Sequence, residues 1–254
     1  MTDFEALVLG VIQGLTEFLP VSSKGHLVIG ETLLGLRLTS LTFELLVHFA
    51  TLGAVLVVLR ARIWRVLRER DVEYVGKLAL ACLPVGAAGF VFKDAIERVF
   101  HDPAITGFGL LFTGCVLFGI RFVPRGERTA PTRGGALVIG LAQTLALFPG
   151  VSRSGMTIAA GLLVGLVGSG AAEFSFLLSL PVILAAVALQ AVEIQGSTGG
   201  FTPSAMIIGF VSAFVVGVFA IRAVYRLLAH SRFGDFAFYC WPAGTLFLLY
   251  LALR

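Results

Sequence analysis

The chain reads VLGVIQGLTEFLPVSSKGHLVIG over residues 8–30 and VIGLAQTLALFPGVSRSGMTIAA over residues 138–160. Laid over each other without a gap, Gly10, Gln13, Leu15, Phe18, Val21, Ser22 and Gly25 match Gly140, Gln143, Leu145, Phe148, Val151, Ser152 and Gly155. Polar groups inside apolar sequence are costly, so a repeat that keeps them marks the place of the chemistry. Each copy is broken at its middle, by PVSSKG at 20–25 and by PGVSRSG at 149–155, and Pro and Gly there end helix geometry. The apolar halves are about 12 to 16 residues long, too short to cross a bilayer alone. A helix–loop–helix hairpin that enters and leaves on one side, its irregular backbone buried in protein, is the expected form.

Working outward, apolar stretches of spanning length run at about 41–59, 76–92, 104–122, 173–194, 204–221 and 236–253, which predicts six transmembrane helices. Of the 254 residues 57% are hydrophobic and 13% charged, against about 25% charged in soluble domains. The expectation is an all-α membrane protein. The net charge of +4 is no signal for nucleic acid, because the basic residues sit between the spans. Cys82, Cys115 and Cys240 lie within apolar spans at no metal-like spacing and read as small buried hydrophobes. Asp3 and Glu5 stand where a signal peptide would carry basic residues, so no cleavable leader is expected.

With both hairpins re-entrant, loops 60–77, 121–133 and 222–235 share one side. They carry Arg60, Arg62, Arg65, Arg68, Arg70, Lys77, Arg121, Arg125, Arg128, Arg133, Arg222, Arg226 and Arg232; the other side has Arg37, Lys93, Arg98 and Arg254. That imbalance places the first set in the cytoplasm. The hairpins then enter from opposite faces. One hairpin and three crossings per half make an inverted-topology repeat within a single membrane domain, with halves at about 1–125 and 134–254.

The converging loops gather Gln13, Glu17, Ser22, Ser23, Lys24 and His26 from one copy and Ser152, Arg153, Ser154 and Thr157 from the other. Half-helix N-termini favour anions, and Arg offers a fork that fits phosphate oxygens. These residues describe an anion site, for phosphate. Glu17 is the exception in such a site, and reads as a divalent-metal ligand or a proton-transfer group.

GLTEFLPVSSKGH at 14–26 and FPGVSRSGMT at 148–157 resemble the two signatures of the undecaprenyl-diphosphate phosphatase family, the bacitracin-resistance type. The resemblance extends along the chain, including EFSFLL at 173–178. It implies an integral-membrane hydrolase of the bacterial plasma membrane that removes the terminal phosphate of a C55 polyprenyl diphosphate. The lipid carrier of cell-wall synthesis is thereby recycled, with the active site open to the outer face. The family's motif positions fall on Gln13, Glu17, Ser22, Ser23 and His26, and on Ser152, Arg153, Ser154 and Thr157. Two residues depart from its pattern: Gln13 stands where Glu is common, and Lys24 where a small hydroxyl residue is usual.

The resulting assignment makes Ser23, His26, Glu17 and Arg153 catalytic. Ser23 is the preferred nucleophile with His26 as its base or as acid toward the leaving group; attack by His26 itself or by water stays open. Ser22, Lys24, Gly25, Ser152, Ser154, Gly155 and Thr157 bind the phosphate. Glu17 either orients His26 or, with Gln13, holds Mg2+ or Ca2+. Ser22 and Ser152, paired in the repeat, are also expected to cap the loops. His48, inside a span with no motif around it, reads as packing; Glu44 and Glu173 read as helix-dipole partners; Gln143 reads evenly as a bond to loop backbone. A polyprenyl-phosphate flippase built on the same site is the rival function. The partners are the polyprenyl diphosphate and the bilayer, and a homodimer is left open.

Overall fold

In a computed structural model of the chain, residues 1–34, 41–92, 102–193 and 202–253 are described. Their order is α1 (Asp3–Thr16), α2 (Ser23–Leu34), α3 (Leu41–Val58), α4 (Arg60–Arg68), α5 (Val72–Val91), α6 (Pro103–Gly119), α7 (Arg133–Thr144), α8 (Arg153–Leu163), α9 (Gly168–Glu193), α10 (Pro203–Ala229) and α11 (Ala237–Leu253). Short 3-10 turns occupy Ile120–Phe122, Leu145–Leu147 and Phe233–Phe236. Five segments are long and apolar enough to span a membrane, and α3, bent 69° from α4, supplies a sixth. The protein is an all-α integral membrane protein.

Both hairpins are present. In the first, a Cβ on Gly30 of α2 would lie 3.2 Å from Ile12 and 3.5 Å from Leu9 of α1, so the two helices run back along each other. In the second, Gly135 of α7 approaches Val164, just past the end of α8, in the same way. The acidic residues at the N-terminus serve the local fold, since Glu5 completes a capping box with Thr2 on α1.

The hairpins are held by close helix contacts across the chain. On α1, Ala6, Leu9, Gly10, Gln13 and Gly14 form one buried face. A Cβ on Gly14 would lie 2.6 Å from the Ala213 carbonyl, and one on Gly10 would collide with Ser212, so α1 and α10 meet backbone to backbone. The matching glycine of the second copy, Gly140 on α7, presses on the Ala81 carbonyl of α5. Each hairpin therefore packs on a spanning helix of the other half. α6 and α11 close the far side, with Gly107 against the backbone at Gly244.

Several boundaries differ from the sequence expectation. α10 continues through Ala229, because Ala220, Ile221, Val224 and Leu228 keep a buried stripe at helical spacing while Arg222 and Arg226 stay exposed. The basic segment 60–77 is likewise mostly helix: α4 carries Arg60, Arg62, Arg65 and Arg68, and α5 already begins at Val72. Arg62 donates to Glu173 at 2.8 Å and lies over the Tyr74 ring, tying α4, α5 and α9 together. Cys240 is buried, Cys82 half-buried and Cys115 exposed, so the last does not fit the expected buried hydrophobe. Arg37, Lys93, Arg98 and Arg254 lie outside the described residues.

Candidate active site

The two broken loops meet tip to tip. Ser154 Oγ of the second donates to the Leu19 carbonyl of the first at 3.1 Å. A Cβ on Gly25 would come within 3.2 Å of Gly150, so only small residues fit where the tips cross. Gly150 itself has φ +85°, a left-handed conformation that glycine adopts without strain. Ser22 adopts φ +68° without that freedom, and non-glycine residues in this region cluster at functional sites. Ser22 Oγ accepts from Gly25 N at 3.3 Å and Ser152 Oγ from Gly155 N at 3.1 Å, so the paired serines cap α2 and α8 as expected.

Beside the crossing lies a cavity of about 180 Å³ walled by Glu17, Ser22, Ser23, Lys24, Ser152 and Arg153. At its centre Glu17, 7% exposed, accepts from Ser23 Oγ at 2.7 Å, from Gln13 Nε2 at 3.1 Å and from Arg153 at 2.5 Å. The guanidinium also donates to the Ser175 carbonyl at 3.4 Å. Glu17 is thus a hub linking the two loops, with one buried charge answering the other. Leu45, Val85, Leu147, Phe148, Val182, Ile183, Ala186 and Val187 give the cavity an apolar wall.

Other expected site residues stand elsewhere. Gln13 is behind Glu17, and Thr157 is bonded to the Arg153 carbonyl and to Ser175 Oγ. Gly25, Ser154 and Gly155 build the loop crossing and do not line the cavity. His26 is on another face. Its Nδ1–H donates to the Ser22 carbonyl at 2.9 Å, which leaves Nε2 to accept from Tyr239 OH at 2.7 Å, and the two rings stack. Ser23 and His26 are therefore not brought together as nucleophile and base; the hydroxyl points to Glu17.

Three residues outside the expected site line the cavity: His48 and Glu44, which the sequence left as structural, and Gln143, which it left evenly open. His48 donates through Nδ1 to the Glu44 carbonyl at 2.8 Å and turns Nε2 to within 3.9 Å of Glu17. Glu44 and Gln143 share the same wall. The i, i+4 spacing of Glu44 and His48 was the available signal, since it places both on one face of α3.

A resident Mg2+ or Ca2+ needs several free oxygen ligands. Among the described residues no three His, Cys, Asp or Glu side chains gather at metal-binding reach, and both oxygens of Glu17 already accept hydrogen bonds. That donor set does not fit a metal held by the protein alone.

Fold and site together define an integral-membrane helical protein with a polar cavity, lined by Glu17 and Arg153, between two hairpin loops. The chain belongs to the bacitracin resistance protein BacA family, whose model matches residues 6–246. It is 36% identical to an undecaprenyl-diphosphatase of Carboxydothermus hydrogenoformans, over 98% of this chain and 97% of the relative. It is 38% identical to one of Rhodopirellula baltica, over 96% of each chain. The identity to one of Salinibacter ruber is 39%, over 97% of this chain and 98% of the relative.

Proposed function

We propose that this chain hydrolyses undecaprenyl diphosphate to the monophosphate and phosphate, and that the reaction takes place in the cavity around Glu17. The carrying observation is the chain Ser23 Oγ–H to Glu17 to Arg153 across the two loops. Glu17 takes the Ser23 proton as Oγ attacks the terminal phosphorus; the bridging P–O bond breaks and the polyprenyl monophosphate leaves. Protonation of Glu17 removes the negative charge that holds Arg153, which frees the guanidinium for the phosphoryl oxygens as their charge rises. Glu17 passes that proton to the oxygen of the departing monophosphate; the carboxylate so restored takes a proton from water, which cleaves the phosphoserine P–O bond and releases phosphate. Glu17 replaces His26 as the base in this reading, because Ser23 is bonded to it.

The apolar wall receives the first isoprene units of the tail. The place of the cavity supports the expected orientation: it uses the first turns of α3, the last turns of α5 and the second half of α9. Those are the ends remote from the basic segments. With these segments cytoplasmic, the cavity opens to the outer face of the bacterial plasma membrane. The exchanged packing of Gly10 and Gly140 supports reading residues 1–125 and 134–254 as inverted repeats of one domain. Flipping of the lipid would leave the Ser23–Glu17 bond without a role, which favours hydrolysis.

Protein purified in detergent should release phosphate from undecaprenyl diphosphate, and Ser23→Ala and Arg153→Ala should abolish release. Lipid binding without release by the folded wild-type chain would overturn the assignment.

A further inference from the structure

Gln143 stands in the last turn of α7 on the cavity wall, 1% exposed, and neither Nε2 nor Oε1 of its carboxamide has a hydrogen-bond partner among the described residues. Its repeat counterpart Gln13 donates to Glu17, while the Gln143 amide makes no such bond to loop backbone or to a described neighbour. Buried polar groups are almost always paired, and one left unpaired is a standing cost to the fold. Such a cost persists where a ligand supplies the partners. The cavity that Gln143 faces holds Ser23, Glu17, His48 and Arg153.

We propose that Gln143 is a headgroup-binding residue that reads a partly protonated phosphate. Nε2–H donates to a non-bridging P–O oxygen, and Oε1 accepts from the P–OH of the same group. A primary amide matches that donor and acceptor pair, which a lysine or arginine cannot, since neither has an acceptor. The arrangement selects the terminal phosphate in its singly protonated form. It also leaves Arg153 and Lys24 to answer the remaining charge. The inference rests on the cavity being the diphosphate site.

The test measures KM and kcat for undecaprenyl diphosphate, inhibition by inorganic phosphate, and the thermal midpoint, all on the full chain in detergent. Gln143→Leu should raise KM and weaken phosphate inhibition by about tenfold, with the midpoint unchanged or higher because an unpaired amide has been removed. Gln143→Met keeps the length of the side chain and should behave alike if the leucine variant folds poorly. Gln143→Glu should weaken both constants further by placing a carboxylate against phosphate. An unchanged KM with a lowered midpoint would show that Gln143 is structural, paired by buried water, and would overturn the inference. An unchanged affinity of Arg153→Ala for inorganic phosphate, measured by isothermal titration calorimetry because this variant has no turnover to inhibit, would instead overturn the placement of the headgroup in this cavity.

Discussion

The Glu17 carboxylate and the Arg153 guanidinium lie 2.5 Å apart, although 136 positions separate them in sequence. Both side chains are largely buried, at 6% and 15% exposure. Removing one partner of a buried pair leaves the other charge uncompensated, at a cost of about 3–5 kcal/mol. Arg153→Ala should therefore lower the thermal midpoint as well as abolish phosphate release. Glu17→Gln leaves the Arg153 charge unanswered in the same way and keeps one acceptor oxygen, for Arg153 or for Ser23 but not for both, so it should also lower the midpoint and lose at least about a hundredfold in rate. The double variant Glu17→Gln with Arg153→Met should melt above Arg153→Met alone and stay inactive. A midpoint for Arg153→Ala equal to wild type would refute the structural share of the pair.

Ser23 donates to Glu17 at 2.7 Å, an attacking geometry that waits on substrate. Acid-quenched turnover should yield a phosphate adduct on the peptide that contains Ser23, read by mass spectrometry. Ser23→Ala should show no adduct and no release. Retention of a rate within about tenfold of wild type by Ser23→Ala would make water the nucleophile.

The sequence made the hairpins legible because helix breakers interrupt an apolar run too short to span, at Pro20 and again at Pro149 and Gly150. It also brought Glu17, Ser23 and Arg153 to one place, since loops entering from opposite faces must meet near the middle of the bilayer. What it did not carry was the helix that claims each side chain. His26 follows Ser23 by three positions, yet α11 supplies Tyr239 and takes the ring away from the cavity. His48 has no motif around it, and only the packing of α3 beside α1 turns its Nε2 toward Glu17. Gln143 matched Gln13 in the repeat, but the second copy has Leu147 where Glu17 stands in the first, so no carboxylate is there to bond it. Local pattern fixes an element; the neighbouring element decides its use.

That difference between the two histidines is measurable. Tyr239→Phe removes only the hydroxyl that donates to His26 and should leave phosphate release within about threefold of wild type, with a stability loss of about 1 kcal/mol. His48→Ala removes the ring nearest the Glu17 carboxylate and should cost more than about tenfold. The reverse order of rates would return the catalytic role to His26.

Glu17 has Gln13 beside it, whose Nε2 is spent on that carboxylate. Gln13→Glu would set a second carboxylate there, and two adjacent carboxylates attract a hard cation. Elemental analysis after dialysis against EDTA and return to Mg2+ should find no stoichiometric metal in the wild type and retained metal in Gln13→Glu. Equal metal content in the two would mean that position 13 does not set cation binding.

Hairpin seating can be tested away from the chemistry. A Cβ on Gly10 would lie 2.6 Å from the Gly209 carbonyl, and one on Gly140 would lie 2.5 Å from the Ala81 carbonyl, both backbone atoms that cannot rotate away. Gly10→Ala and Gly140→Ala should each destabilise by about 1–3 kcal/mol, the usual range for overpacking. On α5, a Cβ added at Gly86 would meet nothing within 4 Å; Gly86→Ala should be neutral or gain up to about 1 kcal/mol from helix propensity. Thermal midpoints of the three variants separate the effect of close packing from that of losing a glycine. Because α1 leads directly to Glu17 and α7 to Gln143, the two destabilised variants should also lose phosphate release, while Gly86→Ala should not. If all three midpoints move together, the backbone contact between each hairpin and its spanning helix is not what seats the loops.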